Sequence, residues 1–237
     1  MITLAFDSTA KAASVAVVLD GKILAHEVVD NGLTQSELLL PMAEDMLKAL
    51  QLGFDDIGLL ATSVGPGSFT GVRIGVALVK GLAFGKNIPC VSVSTIEALA
   101  ENLSGIEGIV VPCMDARRGQ VYTAIFRSSA SGIERLTEDM AISIEELSER
   151  LSAYPCEKIY LSGDGYVGTK RTLESLGIKT EATPALLINE SAASVAAVAE
   201  RIYAGGGAVS DLEIAPTYLR VPQAERERLE REALAKK

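Results

Sequence analysis

A chain of 237 residues, 48% hydrophobic and 5% aromatic, carries enough apolar material for one large domain or two small lobes and is not disordered. Its formal charge of −9 repels phosphate backbones, so direct nucleic-acid binding by this chain alone is not expected. One histidine excludes paired-histidine zinc or iron sites, and three separated cysteines without a CxxC fit buried thiols in a reducing cytosol.

The apolar runs break well before 18 residues, so no membrane span is expected. The opening MITLAFDSTAK has no basic stretch and reads as a first strand rather than a signal peptide, which predicts a cytoplasmic protein. Strands are predicted over Ile2–Asp7, Ser14–Leu19 and Lys22–Val29, the last pair joined by an Asp20-Gly21 hairpin turn. A helix follows over Gln35–Leu52, then a strand over Ile57–Val64, a helix over Ser68–Gly85, a strand over Cys90–Val93 and a helix over Thr95–Leu103.

The pattern then restarts. Strands are predicted over Ile109–Met114, Gln120–Phe126 and Ile133–Ile142, a helix over Ile144–Ala153, and a strand over Lys158–Leu161 leading into Ser162-Gly163-Asp164-Gly165. A helix over Val167–Leu176, a short strand over Ile178–Thr180 and a helix over Ser191–Tyr203 complete it. LAFDSTAKAASVAVV and VPCMDARRGQVYTAIF both run strand, Asp, small or polar turn, strand, with Asp7 and Asp115 at equivalent points; internal duplication explains this economically. The expected fold class is α/β with duplicated βββαβαβα lobes, the actin-like (ASKHA, ribonuclease H-like) topology, by analogy of fold. The expected division is 1–104 for the first lobe, 105–220 for the second and 221–237 for a charged, solvated helical tail.

The stretch GPGSFTGVRIG, Gly65–Gly75, poses the main question. It lacks the Lys of a phosphate-binding P-loop, and no acidic residue stands where a dinucleotide fold needs one. Ser68 suits a helix cap, and Gly71, Gly75, Gly81 and Gly85 follow, although an interior glycine costs roughly 0.5–1 kcal/mol against alanine. Gly71 and Gly75 share a face that Leu78 and Leu82 continue, and this face lets another backbone come close. In the preceding helix Leu39, Leu40, Met42, Ala43, Met46, Leu47 and Leu50 spread over an arc about twice the roughly 100° that a surface helix needs. The surplus is either buried by the neighbouring helix or offered to a partner.

His26, the single histidine, sits near a strand end with no orienting acid nearby, and no G-x-S-x-G elbow is present. The interlobe candidates are Asp7, Ser8 and Thr9 from the first turn, Asp115, Arg117 and Arg118 from the second, and Gly163. Asp7 and Asp115 either hold Mg²⁺ through water or merely cap turns; the arginines pair with phosphates or with acids of a neighbour. Neither turn has the glycine content of actin-like ATPases, so ATP with Mg²⁺ is a doubtful ligand, and no cofactor or metal of the chain's own is expected.

TLAFDST (Thr3–Thr9), QSELLLP (Gln35–Pro41), the glycine block, VSVSTIEALA (Val91–Ala100), DARRGQVY (Asp115–Tyr122), SGDG (Ser162–Gly165) and PTYLR (Pro216–Arg220) together resemble the TsaB (YeaZ) family of bacterial tRNA threonylcarbamoyladenosine machinery. The resemblance spans almost the whole chain. It implies a two-lobe actin-like fold and a non-catalytic partner of TsaD, the paralogue that carries the metal-ligating histidines and the transferase site. It further implies the ATPase TsaE as a third component, with tRNA met only through the complex. The contact to TsaD, or to a second copy of the chain, is expected through the two helices described above. The interface residues so implied are Leu39, Leu40, Ala43, Met46, Leu47, Gly71, Ile74, Gly75, Leu78 and Leu82. Gln35 departs from the family, which often has His there. The reading of the residues leaves an actin-like ATPase or kinase as the alternative.

Overall fold

The computed structural model describes residues 1–220. The expected tail, 221–237, lies outside the described residues. The first sheet opens with β1 (Ile2–Asp7), β2 (Ala13–Leu19) and β3 (Lys22–Val29), antiparallel in that order. Asp20 and Gly21 both have positive φ, 47° and 79°, the backbone handedness that a two-residue hairpin requires. β4 (Ile57–Ser63) and β5 (Cys90–Val93) add in parallel on the far side of β1, giving the order β3-β2-β1-β4-β5.

One face of this sheet is covered by α1 (Gln35–Ala49) and α2 (Phe69–Ala83). Thr34 and Glu37 form a reciprocal cap at the start of α1, and Ser68 Oγ accepts the Gly71 N–H at 3.2 Å at the start of α2. Leu39, Met42, Met46 and Leu47 of α1 and Val72, Val76 and Val79 of α2 close over Leu4, Phe6, Val15 and Val17. The approach of α2 is set by its glycines. A Cβ on Gly71 would lie 1.9 Å from the Ser8 carbonyl oxygen, and one on Gly75 would lie 2.7 Å from both Ser8 Oγ and Thr62 Oγ1. The glycine face therefore points into the first lobe, against the end of β1.

The second sheet is built on β6 (Gly108–Asp115). Its antiparallel partner is one strand broken in two, β7 (Gln120–Thr123) and β8 (Phe126–Ser129), both in the same register on β6. The break is at Ala124-Ile125, where the Ile125 N–H turns to Thr137 Oγ1. The outer strand is broken likewise into β9 (Gly132–Arg135) and β10 (Met140–Ser143), and β11 (Ile159–Ser162) pairs parallel with β6. Outer strand, broken strand, β6 and β11 thus repeat the order β3-β2-β1-β4. The predicted strand at Ile178–Thr180 is absent: the segment reaches β11 only past it, through the Glu181 N–H at Ile159 O and the Thr183 hydroxyl at Leu161 O, so among the described residues no strand pairs beyond β11.

α4 (Ile144–Leu151) and α5 (Tyr166–Ser175) cover the outer face of the second sheet. α3 (Thr95–Glu101) lies between the lobes, with Ile96 and Leu99 against Val110, Met114 and Phe126. α6 (Ala192–Ala204) crosses back to the free face of the first sheet, where Ala192, Val195, Ala196 and Ala199 meet Ala5, Ala16, Ala61 and Val93. Small residues on both sides allow this close approach. Within the expected second lobe, 105–220, α6 thus packs on the first sheet, which has a second apolar face to bury. Glu97 of α3 joins Arg135 and Arg201, both at 3.1 Å, tying the two halves together across α6.

Glycine positions in α2 should behave oppositely according to what a methyl group meets. Gly71→Ala should destabilise by at least the ~1–3 kcal/mol of an overpacked core. Gly81→Ala, where nothing lies within 4 Å of the new Cβ, should stabilise by about 0.5–1 kcal/mol. Urea titration of both variants checks the pair, and a Gly71→Ala protein as stable as the parent contradicts the inward orientation of α2.

Candidate partner face and interlobe cleft

The turn after β1 is closed on itself. Asp7 Oδ1 accepts the Thr9 N–H at 2.9 Å and the Thr9 hydroxyl at 2.8 Å, while Oδ2 accepts the Ser63 hydroxyl at 2.5 Å. Ser8 Oγ donates to Gly71 O at 2.8 Å, and the Ser68 N–H donates to Thr9 O at 2.7 Å, so the turn is fastened to the start of α2. Asp7 is 1% exposed, and burial raises its carboxyl above the ordinary range against the opposing pull of these hydrogen bonds. Asp7 and Ser8, expected in the cleft, lie inside the first lobe. With both oxygens engaged and no route to solvent, Asp7 does not fit the role of a Mg²⁺ ligand through water.

Between the lobes is a cleft of about 690 Å³. Thr9, Lys11 and Phe69 belong to its first-lobe wall, Asp115, Arg117 and Tyr122 to the second. Three cations, Lys11, Arg117 and Arg220, face two carboxylates, Asp115 and Asp164. Asp115 Oδ1 accepts the Arg117 N–H at 2.7 Å, and Asp164 Oδ1 accepts the Asp115 N–H at 2.9 Å. Burial raises the Asp164 carboxyl, with the Asp115 charge adding to it and Lys11 opposing. Arg117, Arg118 and Gly119 all have positive φ, 63°, 54° and 71°, so this turn holds two bulky residues in the left-handed region. Arg118 is exposed outside the cleft lining. Gly163 is not a cleft residue either: a Cβ there would lie 2.5 Å from Cys113 O, so it serves to pack the turn after β11 against β6. Thr9, Asp115 and Arg117 are thus the predicted cleft residues that the fold brings together. Among the described residues no group of three or more His, Cys, Asp or Glu is placed to hold a metal ion.

His26 Nε2 lies 3.1 Å from Ser14 Oγ and 3.4 Å from Ser191 Oγ, and burial lowers its pKa. Ser14 Oγ also accepts the Ala192 N–H at 2.9 Å, so the histidine belongs to the joint between β2, β3 and α6. Next to that joint is a group that sequence reasoning missed. Glu190 is 5% exposed, and its Oε1 has no hydrogen-bond partner. An acid just before a helix is the ordinary sequence pattern, so nothing in INESAAS marked it as buried. It sits in the crossing to α6, which is held by the Asn102 amide at Leu187 O, 3.2 Å, and Asn189 O, 2.7 Å.

The outer face of α1 and α2 differs from the expected interface. Leu39, Ala43, Met46, Leu47, Gly71 and Gly75 are buried within their own lobe. The equal spacing that puts Gly71 and Gly75 on one face was legible, but that face turns inward because Ser8 and Thr62 need the space. Leu40 is 36% exposed, and Ile74, Leu78 and Leu82, successive at four-residue spacing, are half-buried at the surface. Thr70, Arg73, Ala77 and Gly81 beside them are exposed. The face that α2 presents outward is therefore this Ile74–Leu82 stripe with its flanks.

Known proteins resemble this chain in sequence and in fold. A family model described as "TsaD: tRNA N6-adenosine threonylcarbamoyltransferase" matches residues 34–224. The "tRNA threonylcarbamoyladenosine biosynthesis protein TsaB" of Escherichia coli K12 is 34% identical over 93% of this chain and 95% of its own. The protein of the same name from Bacillus subtilis 168 is 28% identical over 95% and 96%. Among solved structures, a Pseudomonas aeruginosa protein described as similar to peptidase YeaZ superposes with a TM-score of 0.78 at 25% identity, over 92% of this chain and 99% of its own. The ADPNP-bound activator of a Clostridium difficile 2-hydroxyisocaproyl-CoA dehydratase superposes at 0.51 with 11% identity, over 92% and 100%, which places the fold among actin-like proteins.

Burial, aided by the charges of Asp7 and Asp164, pushes the Glu190 carboxyl up to about 8 from its ordinary 4.5. The folded protein holds this proton to higher pH than the unfolded chain does, so Glu190 lowers stability progressively from about pH 4.5 to about pH 8, and by a constant amount above. Glu190→Gln should therefore gain stability over the parent as pH rises, reaching up to a few kcal/mol at ~1.4 kcal/mol per unit of pKa difference. Denaturant titrations at pH 5, 7 and 9 check this; a difference that does not grow with pH refutes it.

Proposed function

Since the chain belongs to the TsaB family and takes part in tRNA threonylcarbamoyladenosine biosynthesis, we propose that its part there is that of a non-catalytic scaffold that binds and activates TsaD. The observation that carries this reading is the sealed Asp7. In the first lobe the acid at the end of β1 is bonded to Thr9 and Ser63 and shut from the cleft. A group so held neither orients a metal nor takes a proton from a substrate. The peptidase description borne by a structural relative finds no support in His26, whose hydrogen-bond partners among the described residues are the Ser14 and Ser191 hydroxyls.

TsaD would dock on the outer stripe of α2, Ile74, Leu78 and Leu82, with Leu40 of α1. An apolar stripe edged by Thr70 and Arg73, with small Ala77 and Gly81 beside it, suits a heterodimer contact. The same stripe would serve a homodimer when TsaD is absent. TsaE would join the assembled pair, and tRNA would be met through the partners, since a chain of formal charge −9 repels it. We further propose that the chain has no cofactor of its own and works in the cytoplasm; among the described residues no helix is long and apolar enough to cross a membrane.

The reading is tested by mixing the full chain with TsaD and measuring mass in solution. Ala77→Arg, at an exposed site between Ile74 and Leu78, should leave thermal unfolding unchanged and weaken the complex at least tenfold, roughly the ~1.4 kcal/mol that one disturbed contact is worth. Undiminished binding by this variant removes the α2 stripe from the interface. Saturable binding of Mg-ATP by the isolated chain, lost in Asp7→Ala, would favour the ATPase alternative instead.

A further inference from the structure

The motif PTYLR, Pro216–Arg220, plays no part in the scaffold reading, yet its contacts are specific. The chain leaves the first sheet at Val209, whose N–H and carbonyl both pair with Cys90. It then runs across α2: Lys80 Nζ donates to Leu212 O at 3.1 Å, and Ile214 is fully buried. The Thr217 N–H donates to Val64 O at 2.7 Å, and a Cβ on Gly65 would lie 2.5 Å from Thr217 O, so the segment is pressed onto the glycine block. The Tyr218 ring lies 5.1 Å from that of Phe69, and its hydroxyl accepts Arg73 Nε at 2.9 Å. Two residues later the chain reaches the other lobe. Arg220 donates through one terminal nitrogen to Ala116 O at 3.1 Å and through the other to Gln120 Oε1, with its guanidinium 5.5 Å from the centre of the Tyr122 ring. Tyr218 and Arg220 are themselves walls of the cleft.

We propose that residues 216–220 are a latch across the interlobe cleft: Thr217 and Tyr218 anchor it on the first lobe, and Arg220 grips the Ala116–Gln120 turn of the second. The two ends are unequal. The anchor combines a backbone hydrogen bond, an aromatic contact and a phenol–guanidinium bond on rigid α2. The grip is a single side chain, its guanidinium on the Ala116 carbonyl and the Gln120 amide oxygen and beside Tyr122; among the described residues no backbone hydrogen bond joins the segment to the turn. The gripped turn is strained as well, with Arg117 and Arg118 in the left-handed region, and such backbone persists only where its surroundings hold it. Release of Arg220 therefore frees the turn and the second-lobe wall together, while the segment stays seated on α2. The other links between the lobes include Ser94 to Asp139 and Glu97 to Arg135 from α3, and Ala10 packed against the cluster of Met114.

Amide hydrogen exchange and small-angle scattering on the full chain test the latch. Arg220→Ala should raise exchange at residues 116–120 about tenfold or more and enlarge the radius of gyration, while the Thr217 amide keeps its protection. Gln120→Ala should give a smaller change of the same kind, and the double variant should exceed Arg220→Ala little, as expected of two ends of one contact. Unchanged exchange at 116–120 with unchanged scattering in Arg220→Ala overturns the proposal. Loss of Thr217 protection in the same variant overturns it too, since the segment would then be ordinary packing of the first lobe.

Discussion

The contact between the turn after β1 and the first two turns of α2 underlies the rest of the molecule. Ser8 and Gly71 sit backbone to backbone, with the Ser8 hydroxyl bonded to Gly71 O and the Gly71 N–H bonded to Ser68. No side chain fits between them. This approach brings Thr9 O onto the Ser68 N–H, closes the Asp7 turn and fixes the direction in which α2 leaves the sheet. The helix then has only one face left for the outside, the Ile74–Leu78–Leu82 stripe. A loop shaped for phosphate would aim its N–H groups at open space. Here the Ser68 and Gly71 N–H groups are turned onto the protein itself.

The two lobes share a plan and differ in how they end it. Asp7 and Asp115 occupy the same point, the last residue of the central strand. Asp7 is sealed by Thr9 and Ser63; Asp115 is exposed, bonding the Arg117 N–H across a turn with left-handed arginines. The first lobe has lost access to its strand-end acid, whereas the second keeps its acid at the cleft among cations.

Much of the fold was legible in the sequence because strand ends and caps are local. The Asp20-Gly21 turn, the Ser68 cap and the repeated strand-Asp-turn pattern each depend on a few adjacent residues. The doubled sheet order follows from them. What was not legible depends on third parties. Four-residue spacing says that Gly71 and Gly75 face alike, but whether they face in or out is decided by Ser8 and Thr62, far off in sequence. The expected fifth strand of the second lobe failed because Ile178–Thr180 makes only one ladder bond, from the neighbouring Glu181, onto β11. Glu190 looked like an acid leading into a helix, and only the crossing of the chain buries it. Thr9, Asp115 and Arg117 line the cleft because strand ends gather there, while the aromatic and arginine contribution of Tyr218 and Arg220 comes from the far end of the chain.

The return of α6 to the first sheet bears on how the protein is made. Ala5, Ala16, Val18, Leu59, Ala61, Val91 and Val93 form an apolar face that α6 covers, with Ala98 of α3 and Ala208 beside it. On the ribosome the first hundred residues emerge with that face bare, and they wait through the synthesis of the whole second lobe for residues 192–204. Domains ordinarily fold as units in order of emergence. This chain interleaves its lobes, so its first half is the last to be finished, and a ribosome that stalls before α6 releases a sheet with one greasy side in water.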